Sequence, residues 1–575
     1  MITAGGVLLL AGVWLAVTAV MARSQLNQVR AEAHTLGAQI SANNWPAARA
    51  TAADIATHAQ RADQLTSGPV WALAAALPSG GEPLQTIRGI TAGVDRVSRD
   101  ALPQLVSASQ RVNPRTLRQP DGSIDVSRIA AVGPAVVSAS AIVAQTTKTI
   151  SGLPRHTWLS SIDASYVDAL NQVTALDDAL KSADLAVRIV PTMLGQDGPK
   201  RYFLAFQNEA EARGTGGLPG AFGIVEANHG KLRSTRMESD TTLNGIAAKV
   251  DFGSDYRHLF GAAGTTTTYS QGNLSPHFPY AAQIWASMWK NYSGQRVDGV
   301  IAVDPTALSY LLAVTGPATL PDKSKISGAN AVTLTQSTSY AKFPGTSAAA
   351  VAQRRAYLLG VASAASKKIL AARGEPTALL RAAGKAAGER RLLVWSADPA
   401  VQADLARTSL AGIIPTTTAP YVGLSINNGG GNKLDYYLDR SLTWQRTGCG
   451  STRRTTVTIT LTNNAPASGL PPYVTGRVDT HSYPVKTGDS RLVVGYYATQ
   501  GALLYDITVA GRPGRGRMGA ELGHPVYIVD VEVPRGTSRT IVIHLSEPAG
   551  TGAPIVLRQP LVRPLHVTLH DAACS

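Results

Sequence analysis

The residues best suited to chemistry crowd into 208-NEAEARGTGGLPGAFG-223, which holds one asparagine, two glutamates, one arginine and five glycines. Glycine permits positive φ and close backbone approach, so Gly214, Gly216 and Gly217 could present successive N–H groups to a phosphate. Arg213 adds a planar, permanently charged fork that matches phosphate geometry, and Asn208 would help to shape the loop. The stretch reads as an anion site with Arg213 as its main contact. The competing reading is a hairpin turn between the strand-like runs 201–207 and 222–228, because neither GxxxxGK[ST] nor a helix-opening GxGxxG is present.

Phosphoryl chemistry generally needs a divalent cation, Mg2+ in the usual case. The acids available for one are Glu209, Glu211, Asp240 in 236-RMESDTT-242 and Asp304 in 299-GVIAVDP-305. Asp304 stands before Pro305, which is also the arrangement of a helix N-cap. A second basic element is 353-QRR-355, where Arg354 and Arg355 point about 100° apart on a helix, so that one of them faces a given site. The expected set is therefore Arg213 and Asp240 as catalytic groups and Asp240 and Asp304 as metal ligands. Asn208, Gly214, Gly216, Gly217, Arg354 and Arg355 would surround the bound anion. No HExxH or GxSxG motif occurs, which leaves zinc protease and serine hydrolase chemistry without local support.

Four segments would have to position these residues. Apolar residues three and four apart through 24–190, rich in Ala, predict amphipathic helices and so a helical bundle or stalk over 24–195. The run 69–77 reads as a short buried helix, and 69–84 and 113–125 carry the Pro, Gly and Asp of connections. Over 196–409 strands (201–206, 222–227, 299–303) alternate with helices (278–292, 305–315, 348–372), the pattern of an α/β domain. Over 410–575, segments such as 454–464, 491–498, 526–533 and 539–546 alternate apolar with Thr or charge, which predicts an antiparallel β-sandwich. The fold class expected is multidomain α+β.

The run 5-GGVLLLAGVWLAVTAVMA-22 is uncharged and about as long as a membrane-spanning helix. We read 1–23 as a transmembrane anchor, the alternative being a signal peptide cut after Ala22. Cys449 and Cys574 are the two cysteines, too few for a zinc cluster and too far apart for CxxC, so a single disulfide in an oxidising compartment is expected. Together these place the chain in the plasma membrane as a single-pass protein with its bulk extracytoplasmic. Residues 200–410 hold 23 Lys and Arg against 14 Asp and Glu, most of the +15 net charge. Such an excess attracts anionic lipid headgroups, lipid pyrophosphates or wall polymers, and the compartment argues against nucleic acid.

Residues 201-RYFLAFQNEAEARGTGGLPGAFGIVEANHGKL-232 and 297-VDGVIAVDPTALSYLLAVTGP-317 resemble the hallmark segments of the bacterial domain of unknown function numbered 4012. That resemblance implies an exported, membrane-anchored protein of the cell envelope, and it implies no activity. The middle segment is also distantly similar to the LytR-CpsA-Psr phosphotransferases, which move glycan polymers from polyprenyl-pyrophosphate lipids to the cell wall. The similarity aligns Arg213, Asp240-Thr241, 297–316, 327–343 and 353–360 with that family's elements. It implies a polyprenyl-linked anionic glycan as ligand, Mg2+ as cofactor, and other envelope-assembly proteins as partners. Thr333, Leu334, Thr335 and Gln336 stand where the family carries an arginine pair, and Thr215 stands where it carries an acid. The expectation is a precursor-binding protein without the full catalytic apparatus, with an active phosphotransferase or a structural scaffold as the alternatives.

Overall fold

The computed structural model describes residues 4–78, 80–113, 117–372, 376–572 and 574. The chain divides into two compact units, Met1–Gly198 and Pro199–Ser575.

The first unit is helical. Its helices are α1 (Ala4–Ser41), α2 (Trp45–Thr66), α3 (Pro69–Ala75), α4 (Glu82–Arg96), α5 (Leu102–Arg111), α6 (Val126–Ala131), α7 (Gly133–Ser151) and α8 (Ser160–Met193). Local chemistry sets the starts: the Asn44 side chain accepts from Ala47 N and the Asp125 side chain from Arg128 N, each satisfying an amide that has no helical partner. Between α4 and α5 the turn widens to a π-type segment, Val97–Ala101, just ahead of Pro103, which has no N–H to donate. Small residues let the helices approach closely. Ala48, Ala52 and Ile55 of α2 meet Leu36 of α1 and Val106 of α5, while Ala101, Ala139, Val143 and Leu180 form a second contact layer. Of the second expected connection, 114–116 lie outside the described residues, and Leu117 O accepts from Asp125 N across its remainder.

Two apolar features of this unit bear on a membrane. Among the described residues, one helical stretch, Val126–Ser151, is long and apolar enough to cross one by length and composition; its Val136, Ala139, Val143 and Ile150 are nonetheless buried. Helix α1 carries the run expected to be an anchor, and Leu10, Val13, Trp14, Val17, Val20 and Met21 on it are all exposed. The 69–77 run was expected to be buried and is only half so: Trp71 and Ala75 are covered, whereas Val70, Leu73 and Leu77 face outward, Leu73 at 74% exposure.

The second unit contains a mixed sheet of β1 (Lys200–Arg213), β2 (Gly216–Asn228), β3 (Lys231–Ser239), β4 (Gly299–Val303) and β5 (Leu392–Ser396), in the order β3-β2-β1-β4-β5. Only β1 and β4 run parallel. The sheet's apolar face is covered by α10 (Phe278–Ser293), where Phe203, Phe222, Tyr269, Trp285 and Trp289 pack into one aromatic core; α9 (Gly253–Phe260) joins the same apolar cluster through Tyr256, Leu259 and Phe260. Helices α11 (Pro305–Thr315), α12 (Ala348–Leu370) and α13 (Pro376–Gly388) also belong to this part.

The longer of the remaining strands are β6 (Tyr421–Asn428), β7 (Leu438–Thr447), β8 (Thr452–Asn463), β9 (Ser490–Tyr497), β10 (Leu503–Val509), β11 (Gly516–Glu521), β12 (His524–Val533), β13 (Ser538–Pro548), β14 (Ile555–Arg558) and β15 (Leu565–Asp571). One sheet contains β10-β13-β8-β7-β15 and the other is β11-β12-β9-β6-β14. Alternate residues of both, such as Leu424, Trp444, Ile459, Val494, Val529 and Ile543, share one apolar core. The sheets are not wholly antiparallel, because β14 and β15 return to pair in parallel with β6 and β7. Cys449 and Cys574 are joined as a disulfide, tying the end of the chain to the β7–β8 turn.

The division expected at 409/410 falls inside this single compact unit. The connector is fastened rather than loose: Arg390 donates to Gly412 O, Ile413 O and Pro276 O, and Ile414 N donates to His277 Nδ1.

Candidate functional site

Strands β1 and β2 form a hairpin in which Arg213 lies opposite Gly216, leaving Gly214-Thr215 as the turn. Register breaks between Asn208 and Ala212, so that Glu209, Ala210 and Glu211 bulge out of the ladder while Asn208 and Ala212 pair with Leu218 and Gly217. The turn is buried. A Cβ on Gly214 would lie 2.3 Å from Leu274 O, and one on Gly217 would lie 2.2 Å from the Asn208 carbonyl carbon. Glycine is required here for close packing of protein against protein, the role that phosphate approach was expected to fill. Thr215 Oγ1 donates to Gln207 Oε1 at 2.6 Å, and Asn273 Nδ2 donates to Thr215 Oγ1 at 2.8 Å and Gly217 O at 2.9 Å, closing the turn from within.

Arg213 is 4% exposed. Its Nη1 donates to Ala212 O at 2.8 Å and Asn428 O at 3.3 Å, and its Nε to Ser270 O at 3.3 Å. Glu211 and Asp435 supply the countercharge, and burial pulls its pKa down from the ordinary guanidinium range. Asp435 in turn accepts from Ala212 N at 2.7 Å and Asn428 Nδ2 at 2.8 Å, and burial pushes its carboxyl up to about 6. Gly214 N is taken by Asn427 Oδ1 at 2.9 Å. The expected anion contact is thus a buried arginine, its fork committed to backbone carbonyls.

The two bulged glutamates have separate partners. Glu209, wholly buried, accepts from Arg391 Nη1 and Thr306 Oγ1 at 3.1 Å each and from Gln336 Nε2. Arg391 Nη1 also donates to Asp304 Oδ2 at 2.9 Å, and Asp304 Oδ1 caps α11 by accepting from Ala307 N at 2.7 Å. Burial raises the pKa of both carboxyls, against the pull of Arg391. Glu211 pairs with Lys433 at 3.0 Å. Asp304 therefore serves as helix cap and arginine partner, and it does not fit a Mg2+ ligand. Among the described residues, no group of three His, Cys, Asp or Glu side chains could hold a metal ion.

The other expected site residues are placed as follows. Asn208 Nδ2 donates to Tyr340 OH at 2.6 Å. Arg354, 2% exposed, donates to Phe343 O at 2.6 Å and lies 3.2 Å over the Tyr473 ring. Arg355 reaches Asp240 at 3.8 Å from α12, and Asp240, largely buried, has its carboxyl raised. The fold thus brings Asp240 and Arg355 together, and it turns Arg354 and Arg213 inward.

Beside the hairpin turn lies a cleft of about 180 Å³. Its apolar walls are Leu259, Phe260, Leu274, Val493, Tyr497 and Ile528, and its polar groups include Ser425, Gln271 and Arg517. Ser425 is 2% exposed and its hydroxyl is buried with no hydrogen-bond partner. Among the described residues, neither the Gln271 amide nor the Arg517 guanidinium has a side-chain hydrogen bond or ion pair. Buried polar atoms are nearly always paired, and the Ser425 hydroxyl is one of several buried side-chain groups without a protein partner, here at the wall of a cleft. The sequence reading missed these residues, and it also missed Arg390, Arg391, Asp435 and Glu521. The one local signal was 426-INNGGGNKLD-435, which is denser in Asn and Gly than 208–223.

No curated protein and no solved structure matches the chain. The segment that carries the hairpin, the bulged glutamates, Asp304 and Gln336 has a recognisable relationship: residues 197–340 match the family described as "Protein of unknown function (DUF4012)".

Proposed function

We propose that this is a membrane-anchored, extracytoplasmic protein of the cell envelope that binds a lipid-linked glycan precursor, on a polyprenyl phosphate or pyrophosphate carrier, and assists polysaccharide assembly without transferring the glycan. The exposed apolar side chains on Leu10–Met21 support the anchor, and the Cys449–Cys574 disulfide supports an oxidising compartment. The buried state of Arg213 and Asp304 argues against phosphoryl transfer, since neither offers an electrostatic grip to a transition state.

The observation that carries the binding reading is the unpartnered Ser425 hydroxyl in the cleft. Aromatic and aliphatic walls suit the apolar face of a sugar ring, and a hydroxyl, an amide and a guanidinium suit its hydroxyls. The volume fits one pyranose unit rather than a polymer. Ser425→Ala should weaken binding of a pyranose about tenfold, the loss of roughly one hydrogen bond, while leaving the melting temperature equal or higher because a buried orphan is removed. Saturation-transfer NMR on the full chain in detergent, with methyl glucoside, galactoside, mannoside and N-acetylglucosaminide as probes, reads the binding. No signal from any of the four with wild type would leave the structural scaffold as the better reading.

A further inference from the structure

The end of the helical unit where α2 meets α3 carries a second, larger cavity, of about 500 Å³. Helix α2 runs antiparallel to α1: Ala52 and Ile55 pack near Leu36 and Val29, and His58 Nδ1 lies 2.7 Å from Gln25 Oε1. At Gly68 the chain turns into α3, and Trp71 donates its indole N–H to Thr18 Oγ1 at 2.9 Å. Helix α3 is thereby held beside the last turns of the apolar run on α1. The cavity lies between the three helices.

Its lining is graded. Trp14, Met21, Val70 and Trp71 supply apolar surface, whereas Gln25, Arg61 and Gln64 supply polar groups. Arg61 is exposed and makes no ion pair among the described residues. From Trp14 to Gln25 the helix rises about 16 Å, close to half of the ~30 Å hydrocarbon thickness of a bilayer. If α1 spans the membrane to about Ala22, the apolar end lies at acyl-chain depth and Arg61 at headgroup level. Val70, Leu73 and Leu77 add exposed apolar side chains on the same helix and just after it, a surface suited to a hydrocarbon environment.

We propose that this cavity holds one phosphate-headed membrane lipid, its phosphate on Arg61 and Gln64 and its hydrocarbon chain against Trp14, Met21, Val70 and Trp71. The proposal rests on the membrane-anchored reading of α1 and is independent of the pyranose cleft. It also gives a lipid phosphate a place that the buried Arg213 does not.

Native mass spectrometry of the full chain, released from mild detergent after incubation with phosphatidylglycerol or with a polyprenyl monophosphate, tests it. Two variants separate the site from adsorbed lipid. Arg61→Glu reverses the headgroup charge on an exposed position, and Gly68→Leu fills the cavity, since a Cβ there meets nothing within 4 Å. Wild type should retain one lipid, and each variant should lower retention tenfold or more with an unchanged melting temperature. Selective retention of the polyprenyl probe supports both the cavity and the lipid-carrier reading. Retention of phosphatidylglycerol alone, lost in both variants, keeps the cavity and removes the polyprenyl carrier from the proposed function. Polyprenyl binding that persists in both variants overturns the cavity and leaves the carrier reading standing, and binding of neither probe overturns both.

Discussion

Replacing Arg213 with alanine is expected to unfold the Pro199–Ser575 unit, or to destabilise it by about 3–5 kcal/mol, the usual result of breaking a buried charge from its partners. Three carbonyls, of Ser270, Ala212 and Asn428, would lose their donor, Asp435 would lose a buried neighbouring cation, and Glu211 would be left with Lys433 alone. Orphaned buried acceptors cost about 1–3 kcal/mol each before relaxation, so the effect is large even if water enters. Lysine should not rescue it, because one ammonium cannot reproduce a planar fork directed at separate carbonyls. Thermal unfolding of Arg213→Ala, Arg213→Lys and the exposed control Arg233→Ala checks this, with the control expected within about 0.5 kcal/mol of wild type. A wild-type melting temperature for Arg213→Ala, together with lost binding of lipid phosphate, would restore the arginine as a ligand contact.

The same unit should be more stable at pH 5 than at pH 8. Glu521 is wholly enclosed between Ser275 Oγ and Tyr497 OH, and burial raises its pKa to about 7 from the ordinary 4.5. The folded state holds that proton more tightly than the unfolded chain. Its stabilising contribution is therefore complete below pH 4.5 and is lost as pH rises through 7. For Glu521 alone the loss between pH 5 and pH 8 is about 2–3 kcal/mol. Asp435, raised to about 6, acts in the same direction. His277, buried beside Arg390 and depressed to about 3, acts in the opposite one, its contribution being lost as pH falls below 6.5. Glu521→Gln keeps the shape and can still pair with both hydroxyls. Urea unfolding should show it matching wild type at pH 5 and exceeding it at pH 8; an unchanged pH dependence would mean that Glu521 is ionised and solvated in the folded protein.

What was legible in the sequence follows from how far each interaction reaches along the chain. Helix periodicity, the strand alternation at 454–464 and 526–533 and the N-cap geometry at Asp304 are decided within a few residues, and they appear where expected. Two cysteines admit one intramolecular pairing. Arg213 is the opposite case. Its carbonyl partner Asn428 is 215 residues away, Asp435 reaches the neighbouring Ala212 across 223, and Gln559 donates to Arg213 O across 346. A glycine-rich turn with an arginine reads the same whether it faces a phosphate or another strand. The direct signal for the latter, backbone 2.2–2.3 Å from where a Cβ would stand, exists only in three dimensions. The outward face of α3 was hidden for a related reason: a short apolar run does not say which of its sides the neighbouring helix will cover. Parallel pairing of β14 and β15 likewise depends on where the chain returns.

Hydrogen exchange of the full chain in detergent, followed by mass spectrometry of the peptides that cover 208–218, tests most directly whether this hairpin is a packed seam rather than a ligand loop. Its ladder amides pair with β2, those of Ala212 and Gly214 donate to Asp435 and Asn427, and that of the bulged Ala210 donates to the Asn208 side chain, so exchange should be slow and unchanged by millimolar inorganic pyrophosphate. Fast exchange in the free protein that slows when pyrophosphate is added would contradict it.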